Sequence, residues 1–371
     1  MSEITIREAN VEDADAILRI YIDSYRDICP GKDYLEIVDY DRRVYGEKYP
    51  FLSSQNLREW ILHKGENEFM VTAQVEEKIV GFIKFSVFIR NNSRIGYVEE
   101  IHVDRKHRGR GIGGILLENA EKKIIELGAR IAYLEAWSGA LGWFIKKGYI
   151  PLGWEPKPYM GIVRYIDLIK LLDQPKILYY AMKNLHQSNY RKVANILKKV
   201  MDAAESIRHE NNDYLCLLYM YPLYIAEDLK AQDYYSLAKR IRETAKKFSP
   251  PLSYIFESLA LEVEGEAEEY LYNHRIAYRK FSDAAKRLRY AVDRLKREHV
   301  LTFHPLSILL DLLECKAAYY ASYAIFCGQR SGLLSDEDID YQLSKIEEMV
   351  EKCRKFPSLI ADINHILLRI R

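Results

Sequence analysis

One stretch constrains this chain more than any other. From Tyr97 to Leu117 a run of strand-forming residues enters a basic, glycine-rich turn and leaves it as a helix. Ahead of the turn, Ile95 to Val103 carries β-branched and aromatic residues at short intervals, which suits a pleated, half-buried strand. Beyond it, Ile112, Ile115, Leu116, Ala120 and Ile124 recur at spacings of three and four, giving one apolar helical face. Between the two lie Arg105, Lys106, His107, Arg108 and Arg110, interleaved with Gly109, Gly111, Gly113 and Gly114. The first amides of a helix have no carbonyl partner within it and sit at the positive end of its dipole. Glycines let a backbone approach an anion closely, and arginines add charge-assisted hydrogen bonds. The turn is therefore built for a polyanion. It is not a P-loop, because no Lys-Ser or Lys-Thr pair follows the last glycine, and the charged segment before it does not suit a dinucleotide fingerprint.

Arg108-Gly109-Arg110-Gly111-Ile112-Gly113 fits the pattern Arg/Gln-x-x-Gly-x-Gly/Ala, and with the strand before it the region resembles the acetyl-coenzyme A loop of the GNAT superfamily of N-acyltransferases. The resemblance covers about residues 4–165. It implies an α/β (α+β) fold with a mixed, mostly antiparallel sheet, whose two central parallel strands splay apart to admit the pantetheine arm. It also implies acetyl-coenzyme A as acyl donor. Backbone groups of Ile101 and Val103, with His102 between them, would then hold the acetyl and pantetheine parts. The amides of Arg108, Gly109, Arg110, Gly111, Ile112 and Gly113, with Gly114 beside them, would hold the pyrophosphate. Ala140 and Trp143 count on the coenzyme side, because Trp137 to Tyr149 maps onto the family segment Asn-x-x-Ala-x-x-Phe-Tyr-x-Lys-x-Gly-Phe.

Acylating an amine requires a neutral nitrogen, a polarised thioester and a proton for the departing thiolate. Glu99, Glu100 and Glu135 are ranked together as general bases. Strand alternation sends one of the adjacent pair to the cleft and the other to the opposite face, unless a bulge intervenes. Glu135 matches the position used by some ribosomal-protein acetyltransferases, whereas Tyr97 stands where histone-type relatives carry their glutamate. His102 can shuttle protons, but beside an arginine-rich loop it reads more simply as exposed. Phe144 replaces the family's tyrosine acid, leaving the thiolate to water, Tyr149 or Tyr159.

At 371 residues the chain is long for one domain, and two are expected: 1–165 for acetyl-coenzyme A and 166–371 all-helical. Cys29 to Gly65 reads either as a substrate lid or as a loop with a short helix near Leu57 to His63. From about Asp167 strand patterns give way to helical ones. Tyr190 with Ala194, Tyr234 with Ala238 and Phe281 with Ala285 repeat an aromatic four residues before an alanine, which resembles a tetratricopeptide-like array of helix pairs, the alternative being a plain helical bundle. Ser331 to Asp340 reads as a loop before a final helix pair. Basic stretches at 239–247 and 286–297 suit acidic tails or RNA phosphates, unless Glu262 to Glu269 neutralise them. A net charge of +1 gives no general pull toward nucleic acid or membrane. Five scattered cysteines without a Cys-x-x-Cys pair suit a reduced cytoplasm better than secretion. The expected activity is transfer of acetyl to an amine on a protein or peptide, with the helices recruiting the acceptor. The alternatives are an acyl-coenzyme A sensor on a scaffold, and a small-molecule acetyltransferase whose helices form a homodimer.

Overall fold

The computed structural model describes residues 3–29, 31–153, 157–160, 163–207, 213–226, 231–297 and 307–370. The chain divides into two compact units: Met1–Pro175 with Asp202–Asn212, and Lys176–Met201 with Asp213–Arg371.

In the first unit, β1 (Ile4–Glu8) leads through Asn10, whose side chain and that of Asp13 form a reciprocal cap, into α1 (Ala14–Ile28). Two further helices follow, α2 (Tyr34–Tyr45) and α3 (Ser54–His63), joined through a 3-10 turn at Pro50–Leu52. The segment from Cys29 to Gly65 is thus more regular than a loop with one helix. An Asp33/Glu36 capping box starts α2, a signal present in the sequence. The hairpin of β2 (Glu68–Val75) and β3 (Lys78–Arg90) then runs into β4 (Ser93–Val103), and the glycine turn into α4 (Ile112–Glu126). Then come β5 (Ile131–Trp137), the short α5 (Leu141–Lys146), β6 (Ile150–Pro151), β7 (Lys157–Tyr159) and β8 (Val163–Leu171).

These make one sheet in the order β1-β2-β3-β4-β5-β8-β6, with β7 also on β8. Only the β4–β5 pair is parallel among the described strands. Alternation along the strands sends Phe82 and His102 toward Tyr21 and Tyr25 of α1, and Gly81 and Val103 toward α4, so helices cover both faces. Leu116, Leu117, Ala120 and Ile124 of α4 are buried on the sheet. Gly96 lets α4 come this close, because a Cβ there would lie 2.5 Å from Ile124.

The expected switch to helix near Asp167 comes later. β8 continues to Leu171 and carries the buried charges Asp167 and Lys170, which hide its apolar alternation. It also crosses the boundary expected at residue 165.

The described residues of the second unit fall almost wholly in helices: α6 (Ile177–His186), α7 (Tyr190–Ser206, up to Met201 in this unit), α8 (Asp213–Ile225), α9 (Ala231–Ala245), α10 (Leu252–Tyr270), α11 (His274–Leu295), α12 (Ser307–Arg330), α13 (Asp336–Lys352) and α14 (Pro357–Ile370). Ala194, Ala238 and Ala285 are buried on α7, α9 and α11. The acids expected in a loop before Asp340 instead open α13, where Ser335 and Asp338 form a capping box. Several basic side chains of α9, α11 and the residue after α11 are paired with acids: Arg242 with Glu264, Arg287 with Glu257, and Lys296 with Glu314 of α12. Cys315 and Cys353 are joined as a disulfide, a pairing that no motif in the sequence marks, since the two lie 38 residues apart. No described helix is long and apolar enough to cross a membrane.

Candidate active site

β4 and β5 are in register from Ile95 with Ile131 to Val98 with Leu134, and the pairing stops there. Beyond this point the two no longer pair with each other, β4 running on beside β3 to Val103 and β5 beside β8 to Trp137, and the gap between them opens a cleft of about 1150 Å³. Glu99, Glu100, Ile101, His102 and Val103 form one wall, and Glu135, Ala136 and Ala140 form another.

At one end lies the glycine turn. Asp104 caps a 3-10 turn at Arg105–His107 by accepting from the Lys106 amide, and the chain then takes positive φ at Gly109 (+77°) and Gly111 (+84°). A side chain at either position would be strained, even though the space around it is open. The first hydrogen bond of α4 runs from the Ile115 amide to the Gly111 carbonyl, so the amides of Ile112, Gly113 and Gly114 are first-turn donors at the cleft. Trp143 lies over Gly113, at 3.5 Å from where a Cβ would stand. Free first-turn donors of this kind, at the positive end of a helix dipole, suit an anionic group.

The arginines divide differently from the expectation that all bind anion. Arg108 donates through Nε to the Val103 carbonyl (3.0 Å), through Nη1 to Asp27 (2.7 Å) and through Nη2 to Ser24 (3.3 Å). Its side chain therefore fastens the turn to α1. Arg110 is exposed and does not line the cleft.

At the opposite end the two adjacent glutamates share one face. The β3–β4 register shifts so that Lys84 pairs with Glu100 and Phe85 with Val98, which makes Glu99 the extra residue of a bulge. Glu99 forms an ion pair with the buried Lys84, whose ammonium lies 4.9 Å from the Trp60 ring. Glu100 accepts from the Tyr49 hydroxyl (3.1 Å), and its other oxygen is 2.7 Å from His102 Nε2. His102 is buried rather than exposed, enclosed by Tyr21, Tyr25 and Phe82. Burial, and then the nearby Glu100 charge, push the Tyr49 hydroxyl well above its ordinary pKa. Glu135 is exposed at the cleft edge, with the Tyr133 hydroxyl 3.4 Å away. Tyr97 is also in the wall, its ring 5.5 Å from that of Tyr133.

Tyr149 is a correction. It is fully buried and donates to Glu121 (3.0 Å) beside Lys170, outside the cleft lining, and burial with the Glu121 charge raises its pKa. The side chain of Tyr159 lies outside the described residues. Among the described residues, the tyrosines that do line the cleft are Tyr25, Tyr40, Tyr45, Tyr49, Tyr97 and Tyr165. Tyr49, Lys84 and Tyr165 were not foreseen as site residues. Lys84 was legible in principle, since it shares the β3 face of Phe82.

A splayed parallel pair, a first-turn anion site and carboxylates at the far end define an acyl-coenzyme A transferase cleft. Residues 34–144 match the acetyltransferase (GNAT) family. An uncharacterized N-acetyltransferase of Archaeoglobus fulgidus is 30% identical over 149 residues, which are 39% of this chain and 88% of that protein. One of Methanocaldococcus jannaschii is 30% identical over 169 residues, 44% of this chain and 67% of that protein. Among solved structures, the PaiA N-acetyltransferase of Thermoplasma acidophilum, in complex with coenzyme A, is similar at 19% identity and a TM-score of 0.37, covering 46% of this chain and 99% of that one. The chain belongs to the GNAT family of N-acetyltransferases.

Proposed function

We propose that this enzyme transfers the acetyl group of acetyl-coenzyme A to an amine presented by a protein or peptide, with Glu100 as the base. The observation that carries this reading is the placement of Glu100. It stands in the cleft wall, held by His102 and Tyr49, whereas Glu99 is engaged by Lys84 and Glu135 is exposed at the edge. An amine arrives as an ammonium ion. Three carboxylates and the rings of Tyr45, Tyr49 and Trp60 favour its approach. Glu100 takes one proton, with His102 holding the carboxylate in place. The neutral nitrogen attacks the thioester carbonyl, the C–N bond forms, the C–S bond breaks, and the second proton shed by the nitrogen as it becomes an amide goes to the departing thiolate, so that coenzyme A leaves as its thiol. Phe144 cannot donate to that sulfur. Tyr165, a hydroxyl in the cleft wall kept protonated by burial and by the Glu100 charge, supplies the hydrogen bond.

The helical unit is assigned the recruitment of the acceptor. It exposes Tyr235, Tyr270, Tyr272 and Tyr290, residues suited to polypeptide contact. The test is coenzyme A release with a panel of peptide N-termini, lysine peptides and small amines. Turnover is expected with peptide amines at lower KM than with small amines. Turnover confined to small amines would overturn the acceptor assignment, and none with any amine would overturn the catalytic one.

A further inference from the structure

The helical unit contains a cavity of about 360 Å³ that the transfer reaction does not use. Its titratable lining is unbalanced: Glu262 and Glu266 of α10 and Asp362 of α14 face a single base, Lys316 of α12. Lys316 is already committed. Its Nζ donates to Glu262 at 2.6 Å, and the Tyr320 hydroxyl donates to the other oxygen of Glu262 at 2.6 Å. Glu266, one turn further along α10, meets the Tyr319 hydroxyl at 3.4 Å, and no ion pair to it occurs among the described residues. Tyr190, Tyr234 and Tyr319 bring aromatic rings to the same space. One of these rings already carries a cation, since Lys316 Nζ lies 4.7 Å from the centroid of Tyr319. A separate observation marks the cavity as wanting a polar guest: Ser188 Oγ is buried in its lining with no hydrogen-bond partner among the described residues.

We propose that this cavity is a second amine site, which binds an alkylammonium group between Glu266 and the tyrosine rings, separately from the amine acetylated in the cleft. The shared chemistry is that of a lysine side chain or a free alkylamine, and the volume admits such a group together with several waters. Charge argues for the cation over an anion: an entering carboxylate would find Lys316 taken and three acids around it. Aromatic faces with a desolvated carboxylate are a recurring ammonium-binding arrangement.

Protonation supports the assignment. Burial, and then the Glu262 charge, raise the Glu266 carboxyl to about 8, with Lys316 and the Tyr319 hydroxyl opposing and Glu269 adding to the shift. Tyr234 of α9 and Tyr323 of α12 also face it. Near pH 7 Glu266 therefore holds a proton that an arriving ammonium would displace. Binding should release that proton to the buffer.

The test is calorimetric titration of the full chain with n-butylamine at pH 7, in two buffers of different ionisation heat, with n-butanol as the neutral control. Expected are saturable binding of the amine, a buffer-dependent heat showing proton release, and no binding of the alcohol. Glu266→Gln should weaken amine binding at least tenfold and abolish the proton release while leaving acetyl-coenzyme A binding unchanged. Tyr234→Leu, which removes a ring and no charge, should weaken it several-fold and serves if the first variant does not fold. Glu100→Gln, altered in the cleft, should retain the site. A blocked lysine peptide forms the second arm: tighter binding than n-butylamine identifies a polypeptide source, weaker binding a free amine. Equal binding by wild type and Glu266→Gln, equal binding of amine and alcohol, or no binding of either amine at tens of millimolar would overturn the proposal.

Discussion

Glu100→Gln separates the three carboxylates most sharply. Glutamine keeps the shape of the side chain and an oxygen for the Tyr49 hydroxyl, now 3.1 Å from Glu100, so what disappears is the charge and the basicity. A positioned general base contributes about 10²–10⁴-fold. At about 1.36 kcal/mol per decade, this is roughly 3–5 kcal/mol of barrier. The first-turn amides of Ile112 to Gly114 lie at the other end of the cleft, so acetyl-coenzyme A affinity should hold while kcat falls. Glu135→Gln should cost much less, because that carboxylate is exposed. Glu99→Gln should fall between, since it strands the buried Lys84 ammonium beneath Trp60. The assay follows thiol release against time with a saturating amine, alongside calorimetric coenzyme affinity. A folded Glu100→Gln enzyme within about threefold of wild-type kcat, against the 10²-fold minimum expected of a base, refutes the assignment.

Asp27→Asn removes the charge that holds Arg108 and with it the anchor of the glycine turn. A charge-assisted bond of about 1.5–3 kcal/mol is weakened, and KM for acetyl-coenzyme A should rise roughly tenfold with little change in kcat, which steady-state kinetics would show. Lys170→Met leaves the Glu121 carboxylate, 12% exposed, without its cation. Urea unfolding should then show a loss of about 3–5 kcal/mol from the sheet unit, and a loss under 1 kcal/mol would contradict the pairing. Alkylation of the unfolded, unreduced protein should modify three of the five cysteines, and all five after reduction. Reduction should also lower stability by about 2–4 kcal/mol.

The glycine turn and the helix after it were legible in the sequence, whereas the packing around the carboxylates was not, for physical reasons. A helix start that binds an anion needs glycines and a stripe of apolar residues at fixed spacing, and both are local in the chain from Gly109 to Ile124. The bulge at Glu99 is not local. It has no marker residue of its own and arises from how β3 and β4 pair, yet it decides that Glu99 and Glu100 face the same way. His102 was misjudged because its neighbours in sequence are charged, whereas its neighbours in space are Tyr21, Tyr25 and Phe82. Tyr149 was misjudged for the converse reason: its motif position suggested the cleft, and the pairing of β6 with β8 turns it toward Glu121 and Lys170. In the helical unit the small alanines were legible, but the Cys315–Cys353 link and the buried Glu262–Lys316 pair depend on contacts between separate helices.

The account stands on the glycine turn as the coenzyme site, and titration of acetyl-coenzyme A into the wild-type protein and a Gly111→Glu variant tests it most directly. The variant places a side chain and a negative charge at a position with φ of +84° beside the first-turn amides. Micromolar binding by the wild type, weakened at least a hundredfold in a variant that remains folded, is the expected result. Equal binding by the two proteins, or none by either, would contradict it.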